Sequence, residues 1–448
     1  MKRSTPIPFV ILVLVALGAL FTPPMKGTTS AAGDPIVAGD VAWMLTASAL
    51  VLLMTPGLSF FYGGMVGFKN VVSTMLQSMV ALGVISLVWV VAGFSMAFGD
   101  SIGGFIGDPR TFLLFDGVGD ATNKGLSPTI PLLLFALFQL KFAIITPALI
   151  TGSFAERVRF SSYLLFIVLF SLFIYAPLAH WTWHPDGFLK KMGVLDFAGG
   201  TVVHMSAGWA ALAGALLLGR RKVHMTKEAH TPANIPFVLL GTGMLWFGWF
   251  GFNAGSALAA NGSATLAFAT TNTASASAML GWMFFDWLRG NKPSALGACI
   301  GAVVGLVAIT PAAGYVSVRE SIIIGLVASV ASNLAVHLRT KSTLDDTLDV
   351  FPCHGVGGMV GMIFTGIFAD HGLATGETKL FMSHMIALVI VSAFSFFGSL
   401  ILFKITDLII PLRVSEEQEL EGLDLSQHGE TAMGSDILTG LTHAEAIA

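Results

Sequence analysis

Residues 71–98 read VVSTMLQSMVALGVISLVWVVAGFSMAF, a stretch that contains no Asp, Glu, Lys or Arg. About 20 consecutive apolar residues are enough for an α-helix to cross the hydrocarbon core of a bilayer. Similar stretches recur along almost the whole chain of 448 residues, of which 54% are hydrophobic and 11% are charged. Because soluble domains carry about 25% charged residues, this composition excludes a soluble enzyme and a nucleic-acid-binding protein. The sequence predicts an all-α polytopic membrane protein.

We predict eleven transmembrane helices, arranged as two five-helix halves and a final helix. Because five is an odd number, the two halves would have inverted orientations, as in many transporters. The predicted spans are 41–63, 71–98, 129–152, 162–183, 199–219, 234–255, 264–287, 296–315, 320–338, 352–369 and 380–408.

The N-terminal segment has the features of a secretory signal peptide. Basic residues at 2–3 precede an apolar stretch at 8–21, and small residues at 30–32 offer a cleavage site. An additional membrane helix is the alternative interpretation. We therefore predict three segments: a signal peptide at 1–32, a membrane domain at 33–415 and a C-terminal tail at 416–448.

The charges of the predicted loops give an orientation. Basic residues concentrate in the loops that follow odd-numbered spans, with Arg220, Arg221 and Lys222 as an example. Because Lys and Arg are retained on the cytoplasmic side, this asymmetry predicts an outside mature N-terminus and a cytoplasmic C-terminus. The expected location is the cell (inner) membrane.

Two histidines inside predicted spans are the first candidate functional residues. Ionisable groups are rare and costly in a bilayer and usually serve a function there. His204 and His354 lie early in corresponding spans of the two halves, each close to a pair of glycines. Two neutral imidazoles could pair with each other and still offer polar edges to a small solute. Packing and metal ligation are the alternatives, but the two cysteines, Cys299 and Cys353, form no metal-binding pattern.

Acidic residues precede the same two spans. Asp196 lies at the start of the span that contains His204, and Asp349 lies before the span that contains His354. An N-cap, whose carboxylate accepts backbone N–H bonds, explains either residue. For Asp196 a buried charge that attracts a cation is an equally good explanation, whereas for Asp349 we expect the cap.

Aromatic residues cluster in the third, fourth and sixth predicted spans. Phe138 and Phe142 are four residues apart and therefore share a helix face, Trp183 ends the fourth span, and Trp249 and Phe252 lie in the sixth. Aromatic rings in membrane helices commonly serve packing. They can also hold a desolvated cation through cation–π attraction of about 0.5–2 kcal/mol each.

Several motifs together make the chain similar to the ammonium transporter family, in the Amt branch of the Amt/Rh/Mep proteins. The resemblance extends from about residue 40 to 430. The motifs are FYGG at 61–64, FQLKFA at 138–143, AER at 155–157, DFAGGTVVH at 196–204, GWFGFNAGS at 248–256, HGVGG at 354–358 and EGLD at 421–424. The resemblance implies a homotrimer in which each subunit has its own narrow hydrophobic pore.

The resemblance also implies an outer site and a gate. Phe138, Trp183 and Ser256 match an external site that recruits ammonium, in which the rings supply π faces and the serine supplies an acceptor. Phe142 and Phe252 match a pair of stacked phenyl rings that gate the pore below this site.

Five further residues are implied along the pore. His204 and His354 match its paired imidazoles, and Asp196 matches an acidic residue beneath the recruitment site. Trp249 and Thr310 match other positions beside the pore.

The resemblance implies an ammonium transporter or channel that deprotonates ammonium and conducts ammonia, with or without transfer of the proton. An ammonium-sensing receptor that conducts little is the alternative. No enzymatic activity, cofactor or bound metal is expected, and a cytoplasmic P-II signal protein is implied as a partner. Three positions depart from the family pattern: Lys141 lies between the two phenylalanines of FQLKFA, Ala233 stands where many relatives carry His, and Met433 replaces an aromatic residue of the tail.

Overall fold

The computed structural model describes residues 7–20, 36–226 and 231–432. The predicted cleavage site at 30–32, Met433 and the rest of the tail lie outside the described residues. Twelve helical elements account for most of the described chain: α1 (Ile7–Leu20), α2 (Ala38–Met65), α3 (Phe68–Phe98), α4 (Leu132–Phe154), α5 (Phe160–Lys191), α6 (Gly200–Leu218), α7 (Ile235–Gly255), α8 (Gly262–Leu288), α9 (Ala295–Ile309), α10 (Val318–Thr340), α11 (Phe351–Thr375) and α12 (Lys379–Ile409).

The helices α2 to α12 coincide with the eleven predicted spans. Nine helices in the described part of the chain are long and apolar enough to cross a membrane. The other two are α8, which is rich in Ala, Ser and Thr, and α9, which has only 15 residues. The count of eleven membrane spans therefore stays a prediction. Helix α1 has 14 residues, none of them buried, and the signal peptide likewise stays a prediction.

Two small hairpins and several short turns complete the structure. The loop between α3 and α4 contains the antiparallel pairs β1 (Ser101–Ile102) with β2 (Ile106–Gly107) and β3 (Thr122–Asn123) with β4 (Ser127–Pro131). We call the end of the bundle that carries these hairpins the hairpin side. The opposite end, which carries residues 410–432 with the short helix Glu416–Glu421, is called the tail side.

Four of the long helices contain a π-helical turn, in which the backbone hydrogen bonds span five residues. These turns are Trp89–Gly93 in α3, Ser171–Tyr175 in α5, Gly200–Met205 in α6 and Phe351–Val356 in α11. Single π-helical turns within α-helices often occur at functional sites. The last two turns contain the two candidate histidines.

Close contact between α6 and α11 depends on two glycines. A Cβ atom added to Gly208 would lie 2.2 Å from the backbone nitrogen of Gly355. Any side chain at Gly208 would therefore force the two helices apart. Small residues allow membrane helices to pack at this distance, and the resulting contact brings the π-helical turns of α6 and α11 together.

The tail side is held together by buried ion pairs between loops. Arg221 contacts Asp345 through Nη2 at 2.8 Å and Glu156 through Nη1 at 2.5 Å, and its side chain is only 6% exposed. Glu156 also accepts a hydrogen bond from the backbone of Gly67. Burial would raise the pKa of Asp345, but the hydrogen bonds and charge of Arg221, with the charge of Arg157, hold that pKa below its ordinary value.

Residues of the tail dock on the N-terminus of α3. The carboxylate of Asp424 accepts backbone hydrogen bonds from Val72 at 3.0 Å and from Ser73 at 2.7 Å. His428 lies 3.1 Å from the Ser73 hydroxyl through Nε2, and its ring packs edge-on against Phe160. The tail thus supplies partners for backbone N–H groups that the first turn of a helix cannot satisfy by itself.

Candidate functional site

His204 and His354 meet in the middle of the bundle, although 150 residues separate them in sequence. Their Nδ1 atoms are 3.3 Å apart, and the two rings are inclined by 21° with centroids 5.4 Å apart. Both side chains are almost fully buried, with 1% and 4% exposure. The prediction that these two residues lie together is confirmed by this geometry.

The Nδ1–Nδ1 contact determines what the neutral pair offers to its surroundings. A neutral imidazole has one N–H donor and one bare acceptor nitrogen. If one Nδ1 donates and the other accepts, then the two Nε2 atoms must differ, since one is bare and the other carries hydrogen. Nε2 of His204 is buried and has no hydrogen-bond partner among the residues that the structure describes. The pair therefore presents one free acceptor and one free donor at its ends.

The cavity beside the histidines is otherwise apolar. The side chains of Leu58, Phe61, Ile145, Leu149, Val203 and Val303 contribute to its wall, together with Met54, Leu245, Trp249 and Phe252. His204 and His354 are the only titratable groups in this lining among the described residues. An ion without its water would be strongly disfavoured here, whereas a small neutral polar molecule could use the imidazole edges.

Two phenyl rings, tilted by 33° and not stacked as the resemblance implies, lie at the end of this cavity toward the hairpin side. Phe142 of α4 and Phe252 of α7 have ring centroids 4.2 Å apart. Phe252 lies 6.0 Å from the His204 ring, so the histidine pair begins directly behind these rings. The rings are 1% and 0% exposed. That these rings gate a pore stays a prediction.

Further aromatic rings surround the Phe142 ring. Phe138 lies 4.9 Å from it and Trp183 lies 5.9 Å from it, both in edge-to-face orientation. Ser256 follows Gly255, whose backbone packs against the Phe138 ring. The Ser256 hydroxyl donates to the Phe252 carbonyl at 2.8 Å. The structure thus brings Phe138, Phe142, Trp183 and Phe252 into contact and places Ser256 beside them.

Trp249 and Thr310 form a hydrogen bond next to the histidines. Nε1 of Trp249 donates to the Thr310 hydroxyl at 3.0 Å, and that hydroxyl donates to the Leu306 carbonyl. The indole lies almost parallel to the His204 ring, at a centroid distance of 5.4 Å. Trp249 contributes to the cavity wall, whereas Thr310 fixes the orientation of the indole.

Asp196 caps α6 and does not line the cavity. Oδ1 accepts hydrogen bonds from the backbones of Gly199 and Gly200 at 2.8 and 2.7 Å. Oδ2 accepts from the backbone and the hydroxyl of Thr201 at 2.7 and 2.5 Å. Gly199 has φ +116°, a conformation that favours glycine. The cap interpretation is therefore confirmed, and all four bonds hold the turn that carries His204.

The prediction that Asp349 caps α11 was wrong. Asp346 occupies that role, because its carboxylate accepts from the backbones of Val350 at 3.1 Å and Phe351 at 2.8 Å. Asp349 instead pairs with Arg339 at 2.8 Å, and burial raises the pKa of Asp349 to about 7 in spite of that pair. The sequence did contain a signal for Asp346: it lies eight residues before His354, as Asp196 lies eight before His204.

Lys141 lies outside the cavity wall. It shares a face of α4 with Leu133 and Leu137, at intervals of four residues, and all three are only partly buried. Phe138 and Phe142, by contrast, are fully buried on the pore-facing side. The lysine therefore adds no charge to the apolar cavity.

Comparison with known proteins identifies the fold and its motifs. The family model "Ammonium Transporter Family" matches residues 42–433. An ammonium transporter of Aquifex aeolicus is 49% identical over 403 residues, which cover 88% of this chain and 93% of that protein.

Two solved structures are also similar. The crystal structure of Saccharomyces cerevisiae Mep2 has a TM-score of 0.82 and 34% identity, covering 88% of this chain and 92% of that one. A structure described as a sensor Amt protein has a TM-score of 0.80 and 30% identity, covering 87% of this chain and 98% of that one. With the family model, these relatives show that this chain is a multi-pass membrane protein of the ammonium transporter family.

Proposed function

We propose that this chain carries ammonium nitrogen across the membrane by conducting neutral ammonia through the cavity described above. The observation that carries the proposal is the Nδ1–Nδ1 pair of His204 and His354, 3.3 Å apart within an apolar wall. Ammonium without water pays a large desolvation penalty in such surroundings, and ammonia does not. Potassium cannot lose a proton and is therefore rejected.

The recruitment step is assigned to the aromatic group on the hairpin side. Trp183 is only partly buried, and its Nε1 donates to the Asp196 carbonyl at 3.1 Å. That bond holds the indole edge-to-face against the Phe142 ring. A cation near Trp183 and Phe138 gains cation–π attraction before the ion reaches the phenyl gate.

On the inner side of the gate formed by Phe142 and Phe252, ammonium has lost its proton. Neutral ammonia then contacts the two histidines. Ammonia both donates and accepts hydrogen bonds, so it matches a histidine pair with one free acceptor and one free donor. We propose that these edges replace part of its lost hydration. The same edges could relay the released proton, which would make transport electrogenic.

The proposal includes the arrangement of the chain. Spans α2 to α6 and α7 to α11 form two inverted halves, and α12 follows them. The mature N-terminus, after removal of residues 1–32, faces outward, and the tail faces the cytoplasm. We further propose a homotrimer in the cell membrane, with a cytoplasmic P-II signal protein as a partner on the tail side. The similarity of the chain to the ammonium transporter family over residues 42–433 supports these assignments.

A second candidate is an ammonium sensor that conducts little. The similarity to a structure described as a sensor Amt protein favours keeping this alternative. Both candidates require ammonium to bind, but only a transporter moves it across a sealed membrane.

Uptake into vesicles that contain the purified protein distinguishes the two candidates. We expect ammonium to enter far faster than into protein-free vesicles, and potassium to be excluded. Trp183→Leu should weaken apparent affinity for ammonium several-fold while conduction remains, since Phe138 is still present. Trp287→Leu is the matched control, because Trp287 is 66% exposed and distant from the site. Ammonium entry no faster than the protein-free rate would contradict the transport proposal and favour the sensor.

A further inference from the structure

A second narrow cavity lies next to His354 on its tail side. It continues from the first cavity, since Phe61, Val303 and His354 line both. The residues of its wall include two that contain sulfur, Met65 and Cys353. Neither residue has a role in the proposed conduction of ammonia.

Three potential metal ligands share the wall of this cavity. Met65, Cys353 and His354 are 6%, 7% and 4% exposed. Nδ1 of His354 is occupied by His204, whereas its Nε2 makes no hydrogen bond to another residue that the structure describes. The other polar group of the wall, the Tyr62 hydroxyl, already donates to the Leu149 carbonyl at 2.9 Å.

The identity of these ligands selects a class of metal. A thiolate, a thioether and an imidazole are soft or borderline ligands and prefer soft monovalent ions such as Cu⁺. Over residues 7–20, 36–226 and 231–432, no three His, Cys, Asp or Glu side chains meet as a metal site. The usual ligand set for a divalent ion such as Zn²⁺ is therefore missing at this cavity.

The charge balance of metal binding also favours a soft monovalent ion. When a soft monovalent cation binds, the Cys353 S–H bond breaks, the proton leaves to water and a metal–sulfur bond forms, without oxidation or reduction. The thiolate and the cation cancel, so the cavity gains no net charge. A cation that cannot replace the thiol proton would keep its charge in the apolar cavity and be rejected.

We propose that Met65, Cys353 and His354 bind one soft monovalent metal cation, Cu⁺ or Ag⁺, on the tail side of the histidine pair. A cation at this position lies in the continuation of the first cavity and would block the passage there. The binding itself does not depend on the proposed transport of ammonium, and it is measured without transport.

The two cysteines of the chain provide a matched pair of variants. Cys299 is also buried, at 2% exposure, but it lines neither cavity. The purified full-length protein is incubated with silver nitrate in chloride-free buffer and desalted, and the retained silver is measured by mass spectrometry. We expect Cys299→Ser to retain one Ag⁺ per chain and Cys353→Ser to lose it. Equal retention by the two variants would overturn the proposal.

The thioether is tested with a second pair. Met65→Leu removes a ligand of the proposed site, whereas Met54→Leu changes a methionine that lines only the first cavity. Competition with a soluble thiol should show that Met65→Leu weakens silver binding at least tenfold, since loss of even an outer-shell partner of a metal ligand costs about 10–100-fold in affinity. Met54→Leu should leave the affinity unchanged. Identical affinities in both variants would refute the three-ligand site, and matching gel-filtration profiles establish that the variants are folded.

Discussion

Buried polar groups occur both in the cavity at the centre of the bundle and in the ion-pair network on the tail side. The two regions differ in whether those groups have hydrogen-bond partners. Around His204 and His354 the wall is apolar, and within the described part of the chain Nε2 of His204 has no hydrogen-bond partner. On the tail side, Arg221 makes hydrogen bonds to both carboxylate oxygens of Asp345 and also contacts Glu156. The His204 ring thus keeps hydrogen-bonding capacity free, whereas the Arg221 side chain uses its capacity.

This difference separates functional from structural polar residues. A buried polar group without a partner destabilises the protein, so its presence points to a solute that the group can serve. A buried charge with all its partners stabilises the fold only as long as no partner is removed. We therefore expect changes in the cavity to affect transport, and changes on the tail side to affect stability.

The largest effect is expected for the histidine pair. His204→Ala and His354→Ala should each lower ammonium uptake into vesicles at least tenfold, and the double variant should be little worse than either, because the residues act as a unit. His384→Ala is the control, since both of its ring nitrogens are already engaged, with Leu195 and Met362. That variant should lower the melting temperature and keep uptake per folded subunit. Full uptake by both single variants would show that the pair is structural.

The next effect concerns the ion-pair network. Arg221→Met leaves Asp345 and Glu156 without their shared cation, and removal of one partner from a buried pair costs about 3–5 kcal/mol. Lys191→Met is the matched control, because Lys191 and Asp186 form an exposed pair with side chains 62% and 56% accessible. Exposed pairs contribute about 0–1 kcal/mol. Thermal unfolding in detergent should show a large shift only for Arg221→Met, and similar shifts would contradict the contrast.

The next effect concerns the stability that the two aspartate caps, Asp196 and Asp346, contribute. Each carboxylate oxygen of Asp196 accepts two hydrogen bonds, whereas each oxygen of Asp346 accepts one. Alanine removes both carboxylate oxygens, so Asp196→Ala loses four hydrogen bonds and Asp346→Ala loses two. With about 1 kcal/mol net per bond, the losses are roughly 4 and 2 kcal/mol. Equal shifts in melting temperature would contradict this account.

The smallest effect is a pH dependence of tail docking. Burial against Phe160 and Ser73 lowers the pKa of His428 below its ordinary value, although the charges of Asp424 and Glu430 oppose the shift. The docked tail therefore favours the neutral ring. Docking is strongest above the ordinary pKa of about 6.5 and weakens as the pH falls through the window between that value and the lowered one.

Hydrogen exchange of residues 416–432, corrected for the intrinsic effect of pH, measures this docking. We expect faster exchange at pH 5.5 than at pH 7.5 in the unmodified protein. His428→Asn removes the titrating ring and should abolish the difference. An equally large difference in that variant would assign the pH dependence to another group.

Much of the candidate site was accessible from the sequence, because its residues are unusual for their position. Histidines within apolar spans are costly enough to stand out, and His204 and His354 lie together as predicted. Asp346 was missed because Asp349 is the acidic residue nearest to the span. Only its hydrogen bonds to Val350 and Phe351 reveal which carboxylate forms the cap.

The sequence by itself determined the helices and their membrane character, because apolar length and composition are local properties that need no partner. It could not decide which residues meet. Arg221 and Asp345 are 124 residues apart and His204 and His354 are 150 apart, and nothing local to any of them specifies its partner. Those pairs depend on how closely helices approach, as at Gly208 and Gly355, where a single Cβ atom would clash. Close packing between distant segments is a property of the whole bundle, and only the tertiary structure decides it.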